Sequence, residues 1–293
     1  MFKRTIKRMI PILIAIAVGF YLLIAAFLFL YQDRIVYNPT RYDNLENDLK
    51  SSGAQKIEYT TSQGKQLAFY IPPAEDPSAP PERLWIAFTG NSGRVLDWMD
   101  LIQKFPDQRA AFLLTDYPGY GACNGKPSIP AIDESIDTAL DTLAAKINLP
   151  RADLETRLCV VGHSLGAGMA LQLTRRHPVQ RVVLISPFTS LRAMGRRRVG
   201  VMFMYLLRHN LDNVARLNEL EKQTPPPNVL IIHGEHDEVI PVEMGRELAA
   251  AHPKMITYVE VSKEDHNAIV TNSRARIWQA MTETIVESDK VRN

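Results

Sequence analysis

The pentapeptide Gly162-His163-Ser164-Leu165-Gly166 constrains the chain more than any other feature, because of what flanks it. A strand-like run, Leu158-Cys159-Val160-Val161, leads into it, and a helix-like run from Ala167 to Arg176 leaves it. Three fixed residues in five recur by chance in many chains, so the strand-turn-helix setting is what gives the pattern its meaning. Such a corner forces the central residue into a strained backbone conformation and lifts its side chain clear of the sheet. Glycines two positions before and two after remove the side chains that would collide at so tight a turn. Ser164 would then sit exposed beside a helix N-terminus, where N–H groups and the helix dipole favour negative charge. Two readings follow: a nucleophile, or a small-residue turn that packs a helix onto a strand.

The rest of the chain provides a sheet for that corner. Short apolar runs at Leu84 to Phe88, Ala110 to Leu114, Leu158 to Val161, Arg181 to Ile185, Val229 to Ile232 and Thr257 to Val261 read as strands. Helical stretches alternate with them: Val95 to Phe105, Ile129 to Ile147, Leu165 to Arg176, Val242 to Ala250 and Asn267 to Val286. Several of the strands are almost continuously apolar, as strands covered on both faces are. The alternation predicts the α/β class, a mostly parallel twisted sheet with helices on both faces. Ahead of it, Gln55 to Thr61 and Gln66 to Ile71 alternate about Gly64 and read as an antiparallel hairpin, which makes the sheet mixed. The stretch Leu191 to Gln223 carries Arg192, Arg196, Arg197, Arg198 and Arg208 among Met and Leu. It reads as a helical crossover with a solvated basic face; a lid or a patch against anionic lipid is the alternative.

At the N-terminus, Met9 to Leu30 contains no charged residue. At 1.5 Å per residue it spans about 33 Å, enough for a bilayer hydrocarbon core. Lys3, Arg4, Lys7 and Arg8 precede it, and Tyr31 and Tyr37 follow where interfacial aromatics belong. A cleaved signal peptide fits the basic start and apolar middle. The length of the run and the bulky close Phe27-Leu28-Phe29-Leu30-Tyr31 favour an uncleaved anchor instead. The expected organisation is a cytoplasmic basic tail at 1–8, a transmembrane signal anchor at 9–31, a connector at 32–54 and a globular domain at 55–293. The basic tail stays in the cytoplasm, which puts the domain on the other side of the membrane. The chain of 293 residues is 46% apolar, ample for one large core. Its net charge of +2 includes the four basic residues of the tail, so the domain is close to neutral and offers no nucleic-acid surface. Cys159, inside a strand, reads as a small buried hydrophobe, and a bridge to Cys123 is disfavoured.

A serine hydroxyl is a poor nucleophile unless a base removes its proton, and the base needs a third group to orient it. The strand Val229 to Ile232 empties into His233-Gly234-Glu235-His236-Asp237, and the next ends in Lys263-Glu264-Asp265-His266-Asn267. Residues just past the carboxyl ends of strands lie on the rim where α/β sheets place their sites. Ser164, Asp237 and His266 are therefore the candidates for nucleophile, orienting acid and base. Glu235 or Glu238 are the alternative acids. His163 is an alternative base, although its side chain should point away from the serine. His233 and His236 have i, i+3 spacing, but no further Cys or His cluster completes a zinc site. Asp116 reads as a loop buttress and Asp265 as exposed.

The order Ser164, Asp237, His266 is that of an alpha/beta hydrolase, and the chain resembles that superfamily, especially its small membrane-anchored ABHD-type branch. Asp116-Tyr117-Pro118-Gly119-Tyr120-Gly121 through Ser128, Gln32-Asp33-Arg34 through Pro39, and Ser186-Pro187-Phe188-Thr189-Ser190 carry the same likeness. The resemblance implies an alpha/beta hydrolase fold over 55–293 and an oxyanion hole made by two backbone N–H groups. One belongs to Leu165, directly after the nucleophile. The other is Asn91, in Thr89-Gly90-Asn91-Ser92-Gly93. The family more often has His before that glycine, where Thr89 stands here. The implied reaction is hydrolysis of carboxylic esters or thioesters through an acyl-enzyme on Ser164, with no cofactor or metal. The implied substrate is a small-molecule or lipid-like acyl compound. An amide or peptide hydrolase with the same triad, or a non-catalytic membrane-tethered binding protein, are the alternatives.

Overall fold

The computed structural model describes residues 2–200, 206–208 and 210–282. The strands among them are β1 (Gln55–Thr61), β2 (Gly64–Ile71), β3 (Arg83–Phe88), β4 (Ala110–Thr115), β5 (Leu158–His163), β6 (Arg181–Ile185), β7 (Asn228–Gly234) and β8 (Ile256–Val261). They form one 8-stranded sheet in the order β1-β2-β4-β3-β5-β6-β7-β8. β1 and β2 are an antiparallel hairpin, β2 pairs antiparallel with β4, and every other neighbouring pair is parallel.

Successive side chains of a strand point to opposite faces, so a run apolar at every position needs cover on both. The central strands show this directly. Leu84, Ile86 and Phe88 of β3 enter one core, with Leu158 and Val160 of β5 and Val182 and Leu184 of β6. Trp85 and Ala87, Cys159 and Val161, Val183 and Ile185 enter the other.

The helices are α1 (Phe2–Val36), α2 (Leu45–Ser52), α3 (Met99–Ile102), α4 (Ile129–Lys146), α5 (Arg151–Glu155), α6 (Leu165–Thr174), α7 (Leu191–Val199), α8 (Asn213–Leu220), α9 (Val242–Ala251), α10 (Ala268–Asn272) and α11 (Arg274–Thr282). α4, α6, α8 and α9 supply the first core, and α3, α10 and α11 the second. The start of α4 is set locally, by a Ser128 side chain accepting from the Ala131 N–H.

Three expectations change in detail. Val95 to Phe105 is a 3-10 turn over Val95–Trp98 followed by α3, because Asp116 takes the Val95 N–H and draws the first turn onto the sheet. The last predicted helix is broken at Ser273 into α10 and α11, and its final residues, 283–286, lie outside the described residues. Trp278 Nε1 and Arg274 fasten α11 to the carbonyls of Leu101 and Asp100. The Leu191 to Gln223 stretch is an excursion that leaves and rejoins at one neck, where the Leu191 N–H bonds to the Leu211 carbonyl. Its arginines 192, 196, 197 and 198 are exposed, and residues 201–205 and 209 lie outside the described residues. Both cysteines are buried and unpaired.

Residues 32–54 are laid over the body. They contain α2, which begins at an Asn44 cap and ends at Gly53 in the left-handed region. Tyr37 is buried, Arg41 donates to the Cys123 carbonyl, and the Tyr42 hydroxyl donates to Asp116. Within α1, Pro11–Val36 contains an 18-residue stretch of mean hydropathy 2.8 and is long and apolar enough to cross a membrane. Most of its apolar side chains face outward, with Phe20 65% and Leu23 70% exposed.

Asp116 is the buried carboxyl on which this overlay depends. Burial pushes it up to about 6, against hydrogen bonds from the Val95 N–H and the Tyr42 hydroxyl. The folded carboxyl therefore stays protonated at pH values where the unfolded one is already ionised. The cost of its buried charge is absent below the unfolded value and complete above about pH 6. Asp116→Asn should accordingly raise Tm more at pH 7.5 than at pH 4, as checked by thermal melts across that range; an equal change at both ends would contradict this.

Candidate active site

The sheet order reverses beside β3. The chain leaves β3 toward β4 on one side, and leaves β5 toward β6 on the other. The loops after β3 and β5 therefore diverge and open a crevice at the strands' carboxyl ends, the usual site position in open α/β sheets. Residues 90–93 and Ser164 occupy it.

Ser164 stands between β5 and α6 with φ 58 and ψ −119, a conformation that costs about 1–3 kcal/mol for a non-glycine residue. The surroundings hold it there. Its N–H bonds to the Ile185 carbonyl at 2.9 Å, extending the β5–β6 ladder one residue past the strand. The flanking glycines are required by close approach. A Cβ on Gly166 would lie 2.2 Å from the Phe88 carbonyl oxygen, and one on Gly162 would lie 2.2 Å from the Gly166 oxygen.

The loops after β7 and β8 bring the other two residues to this serine. The Ser164 hydroxyl lies 2.9 Å from His266 Nε2, and His266 Nδ1 lies 2.7 Å from Asp237 Oδ2. An ionised carboxylate only accepts, so Nδ1 carries the proton and Nε2 accepts from the serine hydroxyl. The other Asp237 oxygen accepts the N–H groups of Val239 and Ile240 at 2.9 and 2.8 Å. Burial alone would raise this carboxyl. The bonds from His233, His266 and the Ile240 N–H outweigh it and hold the group well below the usual carboxylate range.

The backbone donors are fixed by peptide geometry. Leu165 is the first residue of α6, so its N–H has no partner within the helix. The peptide joining Gly90 to Asn91 is oriented by its carbonyl, which accepts from Thr89 Oγ1 at 3.2 Å and the Gly93 N–H at 3.4 Å. A trans peptide points its N–H away from its C=O, so the Asn91 N–H faces the opposite way. The next carbonyl, of Asn91, accepts from the Asn38 N–H at 2.9 Å and the Tyr120 hydroxyl at 2.7 Å. Thr89, the departure from the family pattern, thus closes this loop through its hydroxyl.

The rival residues stay apart from the serine. His163 Nε2 donates to the His266 carbonyl at 2.8 Å, its ring against the His266 ring. Burial, then the neighbouring His266, lowers it to about 4, so it is neutral at neutral pH. Glu235 binds Ser262 and the Lys263 N–H, and Glu238 and His236 are exposed. Asp265 is occupied by the N–H groups of Asn267 and Ala268. His233, weighed from the sequence only as a metal ligand, turns out to lie against Asp237. It is fully buried, donates through Nε2 to the Ile240 carbonyl at 2.9 Å and lies 3.3 Å from Asp237 Oδ2. Its position four residues before Asp237, at the end of a buried strand, was the available signal.

A profile of the alpha/beta hydrolase family matches residues 88–218. The uncharacterized protein Rv2307c of Mycobacterium tuberculosis is 28% identical over 242 residues, 82% of each chain. Alpha/beta hydrolase domain-containing protein 17B of Xenopus tropicalis is 27% identical over 173 residues, 58% of this chain and 56% of that one. The Pyrococcus furiosus esterase Pf2001 superimposes with a TM-score of 0.60 over 83% of this chain and 97% of its own, at 18% identity, a likeness of fold.

The corner generates a direct test. Gly166→Ala drives a methyl group into the Phe88 carbonyl, an overpacking change of about 1–3 kcal/mol. Thermal melts should show Tm lowered by roughly 2–12 °C; an unchanged Tm would mean that the close approach is not needed.

Proposed function

The chain belongs to the alpha/beta hydrolase superfamily, and on that premise we propose that it is a membrane-anchored serine hydrolase of carboxylic esters or thioesters. The observation that carries the reading is the relay of 2.9 Å and 2.7 Å contacts from Ser164 through His266 to Asp237, set in one cleft with residues 90 and 91.

In this mechanism His266 Nε2 takes the Ser164 proton as the serine oxygen attacks the acyl carbonyl. The N–H groups of Leu165 and Asn91 stabilise the oxyanion that forms. As the tetrahedral species collapses, the bond to the leaving oxygen or sulfur breaks, and that atom takes its proton from His266. Water, deprotonated in turn by His266, attacks the acyl-enzyme, releases the carboxylic acid and regenerates the serine. Asp237, kept ionised by the donors around it, stabilises the imidazolium in both halves. His163 is uncharged, so it adds no positive charge to repel that imidazolium.

The membrane part of the reading rests on α1 and its basic start. Residues 1–8 form the cytoplasmic tail, 9–31 the anchor and 32–54 the connector, with the hydrolase domain at 55–293 on the non-cytoplasmic side. Retention of the anchor is supported by its own contacts with the body. The Arg208 guanidinium lies over the Phe29 ring, 4.9 Å from its centroid, and reaches the Phe29 carbonyl at 3.5 Å.

A fluorophosphonate should label Ser164, seen by peptide mass mapping, and Ser164→Ala should abolish both labelling and ester turnover. Folded protein that resists the probe would sink the mechanism. Asp237→Asn should leave the protein folded and lower kcat about 10⁴-fold, because it favours the wrong imidazole tautomer. A panel of ester, thioester and amide substrates ranks the leaving groups; an amide preference would replace the esterase reading with amide or peptide cleavage.

A further inference from the structure

The cleft around Ser164, about 670 Å³, takes part of its wall from a segment that the reaction chemistry does not require. Leu28, Gln32, Ile35 and Val36 of α1 all line it. Their spacing is i, i+4, i+7, i+8, a single helix face. Gln32 is buried and Leu28 and Val36 are half-buried on this face, Ile35 lies at its edge and is 56% exposed, and Phe27 and Leu30 point away from the body at 57% and 69%. The last two turns of the apolar helix therefore present one side to the active site and another to whatever surrounds the helix. Leu191 and Met194 of α7 contribute further apolar lining. Gln32 locks this geometry, with both ends of its amide bonded to the backbone at residues 206 and 208.

We infer that α1 is the acyl-chain wall of the active site. The fatty chain of a bilayer-resident ester or thioester lies along Leu28, Ile35 and Val36 and reaches Ser164 from the membrane, without crossing water. The inference rests on Ser164 being the nucleophile and adds the substrate class, a long-chain acyl compound held in a bilayer. Physical arguments favour that occupant over a short polar acyl group. Three of the four α1 residues in the lining are aliphatic, and Leu28 to Val36 rises about 12 Å along the helix, which suits an extended chain. Each methylene favours the chain about fourfold on leaving water for the bilayer, which concentrates long-chain substrate beside the cleft, and the cleft then selects by length and shape.

The test uses the full chain in phosphatidylcholine nanodiscs, with p-nitrophenyl acetate and p-nitrophenyl laurate as substrates and fluorophosphonate labelling as the check that each variant is folded. Wild type should favour laurate at least tenfold in kcat/KM. Ile35→Trp and Leu28→Trp, which fill the cleft from α1, should each lower the laurate-to-acetate ratio at least fivefold. Leu23→Trp, on an exposed part of α1, should change that ratio less than fivefold. Wild type that lacks the laurate preference, labelled cleft variants whose ratio stays within fivefold of wild type, or a Leu23→Trp effect as large as theirs would each overturn the inference. Absence of both labelling and turnover of either ester in wild type would overturn the hydrolase reading itself, an outcome distinct from a labelled, active enzyme with no chain-length preference.

Discussion

The close approach of α6 to the end of β3 is the contact on which the site depends. A backbone-to-backbone contact replaces a side chain at Gly166, against the Phe88 carbonyl, and this lets α6 start directly under the crevice. Phe88 pairs with Gly162 across β3 and β5, so the same contact joins the two loops that diverge at the sheet's reversal. The strain at Ser164 is held by the neighbours of this contact: the Ile185 carbonyl on one side and the first turn of α6 on the other. Loosening it would move the serine and the residue 89–93 loop relative to each other.

A layered set of hydrogen bonds then fixes the charges. Asp237 is surrounded by donors from its own turn and by two imidazoles, which keeps a buried carboxylate ionised. Asp116, the more buried of the two, has fewer donors, and burial prevails there. The two carboxyls show opposite outcomes of one balance between desolvation and hydrogen bonding. Asp237 is thereby suited to hold a positive imidazole, and Asp116 to fasten the connector to the body.

What could be read in the sequence was whatever repeats or lies close along the chain. Strands such as Val182 to Ile185 announce themselves because double-sided burial leaves an uninterrupted apolar run. The β5–α6 corner is legible because its glycines sit at fixed offsets from the serine. Asp237 and His266 could be picked out because each follows directly on a strand. Contacts between distant segments have no such trace. Nothing periodic in residues 32–54 signals that Asn38 and Tyr42 will bind Asn91 and Asp116, and a polar segment reads as a tether whether or not it packs. The face of α1 that lines the cleft is invisible for a related reason. A helix apolar on every side does not reveal which side meets protein. His233 was noticed for its spacing to His236, yet its partner is Asp237, which only the turn after β7 brings near.

The grip on the Asn91 carbonyl bears on where the folded unit begins. Its two donors come from Asn38, two residues beyond α1, and from Tyr120, in the loop after β4, and the same Asn38 N–H lies 3.0 Å from the Tyr120 oxygen. In the architecture of the molecule the segment just past α1 is therefore the outermost brace of the loop beside the serine. A polypeptide trimmed to begin at β1 would keep every strand of the sheet and lose that brace, together with the Tyr42 hydroxyl that occupies Asp116. By strand order the unit starts at Gln55, whereas by the bonds that shape its crevice it starts near the end of the apolar helix.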